Sequence, residues 1–149
     1  MRPILAAPPP PKRERGLTVD AGEEGVLAAR LSEEGGLLYL RVGPYVWRAA
    51  PGGDYYDAWR SLQAQMDEQA GWRAGVCGNC RYFHFSTMTR QMTGGVTGYC
   101  LVNKLGQDVG DADTVDVVDV CRHFLYGPED ERALWYARWL VSRKLAPEP

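Results

Sequence analysis

The chain has 149 residues, 45% of them hydrophobic, and a formal net charge of −2. That apolar content suits one packed domain, or a small domain with a metal-stapled extension, and is too high for a disordered chain. The mild acidity argues against a general nucleic-acid binder, which carries a basic balance, and no apolar run reaches the length of a membrane span.

Residues 1–16 hold Pro8 to Pro11 followed by Lys12-Arg13-Glu14-Arg15. They lack the basic-then-apolar order of a secretion signal and read as a stiff, solvated tail that a proline-reading partner could dock. With no mark of export, a reducing cytoplasm is expected, where cysteines bind metal more often than they form disulfides. Residues 17–71 read as a small antiparallel β-meander plus a helix. The apolar runs 26–31 and 37–42 are separated by Ser32-Glu33-Glu34-Gly35-Gly36, a hairpin signal. Gly43-Pro44 then punctuates, and 45–49 offers a third strand with Tyr45 and Trp47 on one face and Val46 and Arg48 on the other. Asp54 predicts the N-cap of a helix ending near Ala70 with Gly71 as its stop, and Tyr55, Trp59, Leu62 and Met66 make its inward stripe.

Residues 72–126 form a loop-rich four-cysteine module. Gly94-Gly95 and Gly98 mark turns before Cys100, 108–113 is a polar loop, and 114–120 alternates as a short strand leading into Cys121. In 127–149, Gly127-Pro128 opens a helix from Glu129 to about Leu145, packed on the body. Its acids Glu129, Asp130 and Glu131 lie in the first turn and Arg143-Lys144 in the last, matching the helix dipole. Its periodicity turns Leu134, Ala137, Leu140, Val141 and Leu145 inward, with Trp135 and Trp139 widening the stripe, and the chain is loose from Ala146. The fold class is α+β.

The cysteines point beyond a plain globular domain. Cys77-Gly78-Asn79-Cys80 is a knuckle, Cys100 and Cys121 follow singly, and these four are all the cysteines of the chain. Four is the number that a tetrahedral zinc or a cubane iron–sulfur cluster requires. Two thiolates separated by two residues reach one centre from a single turn, whose backbone Gly78-Asn79 tolerates. Structural zinc favours paired knuckles, whereas a cubane offers a separate iron to each cysteine and suits lone cysteines arriving from separate loops. Both metals stay open on this ground, as do disulfides in any of three pairings.

The neighbours of the cysteines carry more. The order Cys77-x-x-Cys80-x-x-Phe83, then Gly98-x-Cys100, then Val117-Val118-Asp119-Val120 and Cys121-x-x-Phe124 resembles the high-potential iron–sulfur protein pattern. More closely, it is similar to the small accessory subunits of glycyl-radical enzymes of the benzylsuccinate synthase type. The resemblance covers the segment from Cys77 to Phe124. It implies that Cys77, Cys80, Cys100 and Cys121 ligate one 4Fe–4S cluster and that the protein is an electron-transfer or accessory subunit; the residues themselves keep one zinc ion as the alternative and carry no catalytic motif, so the chain is not expected to be an enzyme. The gaps between ligands are longer here, and the N-terminal sheet and C-terminal helix lie outside it.

Other groups have simpler readings. His84 and His123 sit beside the cysteines and read as packing or supporting groups rather than ligands or a Cys–His catalytic pair. Asp108, Asp111, Asp113, Asp116 and Asp119 do not follow the calcium-loop spacing and read as a solvated loop. Arg81, Arg90, Lys104 and Arg122 balance those acids, which leaves nucleic-acid association only a minor alternative, through zinc. Aromatic residues Tyr82, Phe83, Phe85, Tyr99 and Phe124 read as burial around the site. Trp135 and Trp139 are the candidate contact for a larger protein partner.

Overall fold

The computed structural model describes residues 12–121 and 123–145. The proline stretch Pro8 to Pro11, Arg122 and the C-terminal residues 146–149 lie outside them. In chain order the elements are β1 (Lys12–Asp20), β2 (Val26–Glu34), β3 (Leu37–Val42), β4 (Tyr45–Arg48), α1 (Tyr55–Ala70), β5 (Arg73–Ala74), β6 (Phe83–His84), α2 (Thr87–Thr93), β7 (Thr97–Cys100), β8 (Thr114–Asp116) and α3 (Glu129–Leu145). The fold is α+β, with a five-stranded antiparallel sheet in the order β4-β3-β2-β1-β5 and a three-stranded sheet in the order β6-β7-β8.

The meander forms where the apolar runs place it. Strand β2 runs on to Glu34, because Glu34 pairs with Leu37, so the loop shrinks to Gly35-Gly36. Both glycines have positive φ, +60° and +80°, the backbone a two-residue hairpin turn demands. One face of the sheet buries Leu17, Val19, Ala29, Leu31, Leu38, Leu40, Val42 and Trp47, and α1 covers that face with Trp59, Leu62 and Met66. The fourth buried residue of α1 is Tyr56; Tyr55, placed on the inward stripe by spacing, packs only at its margin. On β4 the burial of Trp47 against the exposure of Val46 and Arg48 gives the predicted alternation, while Tyr45 remains 55% exposed at the edge, stacked on Trp47.

Two expectations need correction. The tail does not extend to residue 16: Lys12–Asp20 is a strand that pairs with β2 on one side and β5 on the other. Its charges obscured the alternation of Leu17 and Val19, and two of them, Glu14 and Arg15, find partners elsewhere in the fold. Arg15 bonds Asp116 at 3.2 Å and Asp119 at 2.5 Å, and Arg30 pairs with Glu14. On α3 the inward face is aromatic rather than aliphatic. Trp139 is buried and Trp135 and Tyr136 are half-buried, whereas Leu134 is 71% and Val141 56% exposed and Ala137 is exposed. Flat rings that reach Tyr82 and His84 fill the gap better than shorter aliphatic chains.

The cysteine segment shares this core. Cys77, Cys80, Phe83, Val117 and Val118 belong to the same buried cluster as the sheet and α1. Between the second and third cysteines lies α2, an element periodicity did not reveal, and it is anchored on the start of α1. Asp54 caps α1 by accepting the Asp57 N–H at 2.9 Å, while Asp57 returns a bond to the Asp54 N–H. The same carboxylates receive Arg90 of α2, at 2.6 and 3.1 Å on Asp54 and 3.0 Å on Asp57. The Arg90 guanidinium also lies over the rings of Tyr56 and Phe85.

The Arg90 guanidinium holds the Asp54 carboxyl down at about 2, against an ordinary 3.8. A carboxyl whose folded pKa is depressed contributes stability that is present above its unfolded value and is lost as pH falls through the folded one. Arg90→Met should therefore lower unfolding free energy at neutral pH by about 1–2 kcal/mol and flatten the loss of stability between about pH 4 and pH 2. Urea titrations of both proteins across that window check it; parallel curves would mean that Arg90 does not set the Asp54 pKa.

Candidate functional site

The knuckle is a single 3₁₀ turn, Cys77–Asn79, closed by the Cys80 N–H donating to the Cys77 carbonyl at 2.9 Å. Its two central residues are fixed by what surrounds them. Asn79, buried at 6% exposure, donates through Nδ2 to Gln63 Oε1 (2.8 Å) and to the Ala74 carbonyl (2.9 Å). Its Oδ1 accepts the Trp59 indole N–H at 3.2 Å. Gln63 in turn accepts the Ala74 N–H and donates to the Trp72 carbonyl. Every arm of the Asn79 amide is used, and the turn is thereby tied to α1 and β5. Gly78 is required for closeness rather than for a positive φ: a Cβ there would lie 2.7 Å from Val117 Cγ1 and 3.0 Å from the Val117 carbonyl oxygen. The chain passes so near because the Gly78 and Cys77 N–H groups donate to the carbonyls of Val117 and Asp119, at 2.6 and 2.8 Å.

These two bonds bring the approach to Cys121 alongside the knuckle. The segment follows strand β8, which ends at Asp116, earlier than the alternation over 114–120 predicts. There the chain turns, with the Asp119 N–H bonded to the Asp116 carbonyl and the Asp116 N–H to the Asp119 carboxylate. Cys100 ends β7 directly opposite Phe83. Gly98 of β7 is needed because a Cβ there would sit 2.6 Å from the Phe83 ring and 2.8 Å from the His84 carbonyl oxygen. The predicted turn at Gly98 is thus a strand residue under an aromatic ring.

All four cysteines are free thiols, with Cys77 and Cys80 buried and Cys100 and Cys121 half-buried. Burial pushes the Cys77 thiol up to about 12, and the neighbouring Cys121, Cys80, Asp119 and Cys100 push in the same direction. Burial also raises Cys100; the Val102 N–H donated to its sulfur opposes this, while Cys80 and Cys121 again add to it. Backbone bonds hold the three stretches of chain that carry the sulfurs side by side, with the Cys77 N–H on the Asp119 carbonyl and the Leu101 N–H, next to Cys100, on the Tyr82 carbonyl, each at 2.8 Å. A second backbone donor serves the fourth sulfur, where the His123 N–H points at Cys121 Sγ at 3.3 Å. N–H donors of this kind stabilise thiolate over thiol. Among the described residues, however, no group of three or more His, Cys, Asp or Glu side chains is arranged to hold a metal ion.

His84 stacks on Tyr136 with ring centroids 3.6 Å apart, and burial lowers its pKa to about 4. The His123 side chain is exposed. The predicted aromatic surroundings are present in Phe83, which is buried, and in Tyr82, Phe85 and Phe124, which pack against the core. The acids and bases of this region largely neutralise one another: Lys104 with Asp113 at 2.9 Å, Arg81 with Glu131 at 3.1 Å, and Arg143 with Asp108. Asp116 and Asp119 hold Arg15, so part of the stretch read as a solvated loop is a fixed ion-pair cluster.

Helix α3 closes the site from the far side. Arg132 Nη1 donates to the Gly78 carbonyl at 2.6 Å and to the Tyr56 hydroxyl at 2.9 Å, and the Gly127 N–H donates to the Asn79 carbonyl at 3.0 Å. Trp139 donates its indole N–H to the Gln107 carbonyl at 2.9 Å, and Trp135 packs edge-on against Tyr82. Trp135 and Trp139 thus pin the cysteine loops to the helix. Trp139, buried and hydrogen-bonded, is therefore not open to a partner as the spacing suggested, whereas Trp135 is half-buried and its indole N–H has no hydrogen-bond partner among the described residues. The spacing of the cysteines did not reveal Gln63, Arg132 and Arg90. For Gln63 a signal existed: it lies four residues after Trp59 and three before Met66, a polar side chain on an otherwise apolar stripe. The sequence matches no protein-family model and no curated protein.

Gly78→Ala should destabilise the protein by about 1–3 kcal/mol through collision with Val117, and Asn79→Ala by a similar amount through the stranded Gln63 and Ala74 groups. Thermal and urea unfolding of each variant are the checks, and a neutral Gly78→Ala would show that the chain near Val117 yields. For His84 the folded pKa lies below the ordinary 6.5, so the unfolded chain takes up the proton first and stability falls as pH drops from about 6.5 to about 4. His84→Phe should remove roughly 1–3 kcal/mol of that decline while keeping a ring against Tyr136, as read by urea titration at pH 7 and pH 4.

Proposed function

We propose that Cys77, Cys80, Cys100 and Cys121 hold one 4Fe–4S cluster, and that the protein serves as a redox module or accessory subunit of a larger assembly in the cytoplasm. The observation that carries this reading is that the three chain segments holding all four cysteines run side by side, bonded through Cys77–Asp119 and Leu101–Tyr82 and backed by Phe83, Tyr82 and Phe124. In kind the donors fit: all four are soft sulfur ligands, and two have backbone N–H groups aimed at them. As they stand they are not arranged around a metal ion, so loading has to draw them together. Arrival of Cys100 and Cys121 as single ligands, one from the end of β7 and one from a loop, favours a cubane over a structural zinc, which draws on the same four donors. Bound there, the cluster would supply one-electron chemistry. The chain's own residues would supply ligands, exclusion of water and hydrogen bonds to sulfur. No catalytic role is assigned to any side chain. Among the described residues, no helix is long and apolar enough to cross a membrane.

Cys77 keeps its proton at neutral pH, and metal or cluster loading must displace it. Protein purified without oxygen should be brown, contain iron and acid-labile sulfide in equal amounts, and bleach on exposure to air. Cys100→Ser should abolish the colour while the urea transition of the metal-free protein is retained. Colourless protein with one zinc and no iron would replace the cluster with the zinc alternative, and protein that binds neither metal would end both.

A further inference from the structure

The outward face of α3 is unusual for a helix end that faces solvent. Leu134 and Val141 are 71% and 56% exposed, two helical turns apart, and the exposed Ala137 lies between them. On the same line, Asp130 stands one turn before Leu134 and Lys144 one turn after Val141, both exposed. Spacings of four, three, four and three residues keep all five side chains on a single stripe, opposite the face that buries Trp139. Neither Asp130 nor Lys144 has an ion pair among the described residues, although the other acids of the first turn do: Glu129 pairs with Arg60 and Glu131 with Arg81.

We infer that this stripe is the interface of a two-fold symmetric dimer, in which α3 packs antiparallel against α3 of a second copy. Charge selects the occupant. The stripe reads acid, apolar, small, apolar, base, so reversing it end to end reproduces its complement. A two-fold axis opposite Ala137 places Asp130 against Lys144 of the second copy, Leu134 against Val141 of the second copy, and Ala137 against its own equivalent. Each contact occurs twice, as an isologous interface requires. A parallel arrangement would set acid on acid and base on base. Ala137 at the centre lets the two helices approach closely, and the antiparallel direction also opposes their dipoles favourably. The interface lies on the opposite side of α3 from Arg132, so it does not depend on what the four cysteines bind.

Sedimentation velocity of the full chain over a range from about 1 μM to about 1 mM tests it, because a single helix pair makes a small interface and a weak association. The mass should rise from 16.6 kDa towards twice that value. Leu134→Asp with Val141→Asp should leave a monomer throughout. Asp130→Lys or Lys144→Glu alone should weaken association about tenfold, and the two together should restore it. All four positions are exposed, and unchanged circular dichroism confirms that the variants fold. A wild-type protein that stays monomeric, a dimer that survives the two aspartates, or a charge exchange that fails to restore association would each overturn the inference.

Discussion

The side-chain amide of Asn79 is the constraint on which the cysteine segment depends. It lies inside the protein, where an unpaired amide would be costly, and it has partners for both N–H bonds and for its oxygen. Those partners belong to α1 and to the strand that follows it. Satisfying one buried residue therefore fixes the position of the knuckle on the helix and of the helix on the sheet. Gly78 adds a steric condition, since only a residue without a side chain lets the approach to Cys121 run alongside. The middle pair of the Cys-Gly-Asn-Cys knuckle is specified by this packing more than by any need of the turn itself.

Two arginines extend the arrangement outward. Arg90 fastens the excursion between Cys80 and Cys100 to the capped start of α1, and Arg132 fastens α3 to the knuckle carbonyl. Arg90 brings three bonds to the two carboxylates that open α1, a fork that a lysine's point charge would match less well, while Arg132 bridges the Tyr56 hydroxyl of α1 and the knuckle carbonyl through one nitrogen. The result is that the knuckle and the excursion before Cys100 are held by polar contacts to helices, while Phe83, Val117 and Val118 join the core of the sheet.

Several features were legible from residue order because they depend on neighbours in the chain. Capping of α1 by Asp54 and its ending at Gly71, the glycine hairpin at Gly35-Gly36, and the span of α3 follow from local chemistry. Other features were hidden for equally definite reasons. The charged run Lys12 to Arg15 looked like a solvated tail, since the partners of Arg15, Asp116 and Asp119, are a hundred residues away. The aliphatic residues of α3 looked like its buried face, yet the rings of Trp135, Tyr136 and Trp139 took that place because Tyr82, His84 and Gln107 lie opposite them.

By itself, then, the sequence determined the α+β class, the meander with its covering helix, and a complete set of four cysteines with one knuckle, because periodicity, caps and turns act over a few residues. Only the tertiary structure decided that the approach to Cys121 runs beside the knuckle, that His84 stacks on Tyr136, and that Trp139 is buried with its N–H on Gln107. Those outcomes rest on long-range hydrogen bonds and on which surfaces meet, and neither is written in the spacing of any single segment.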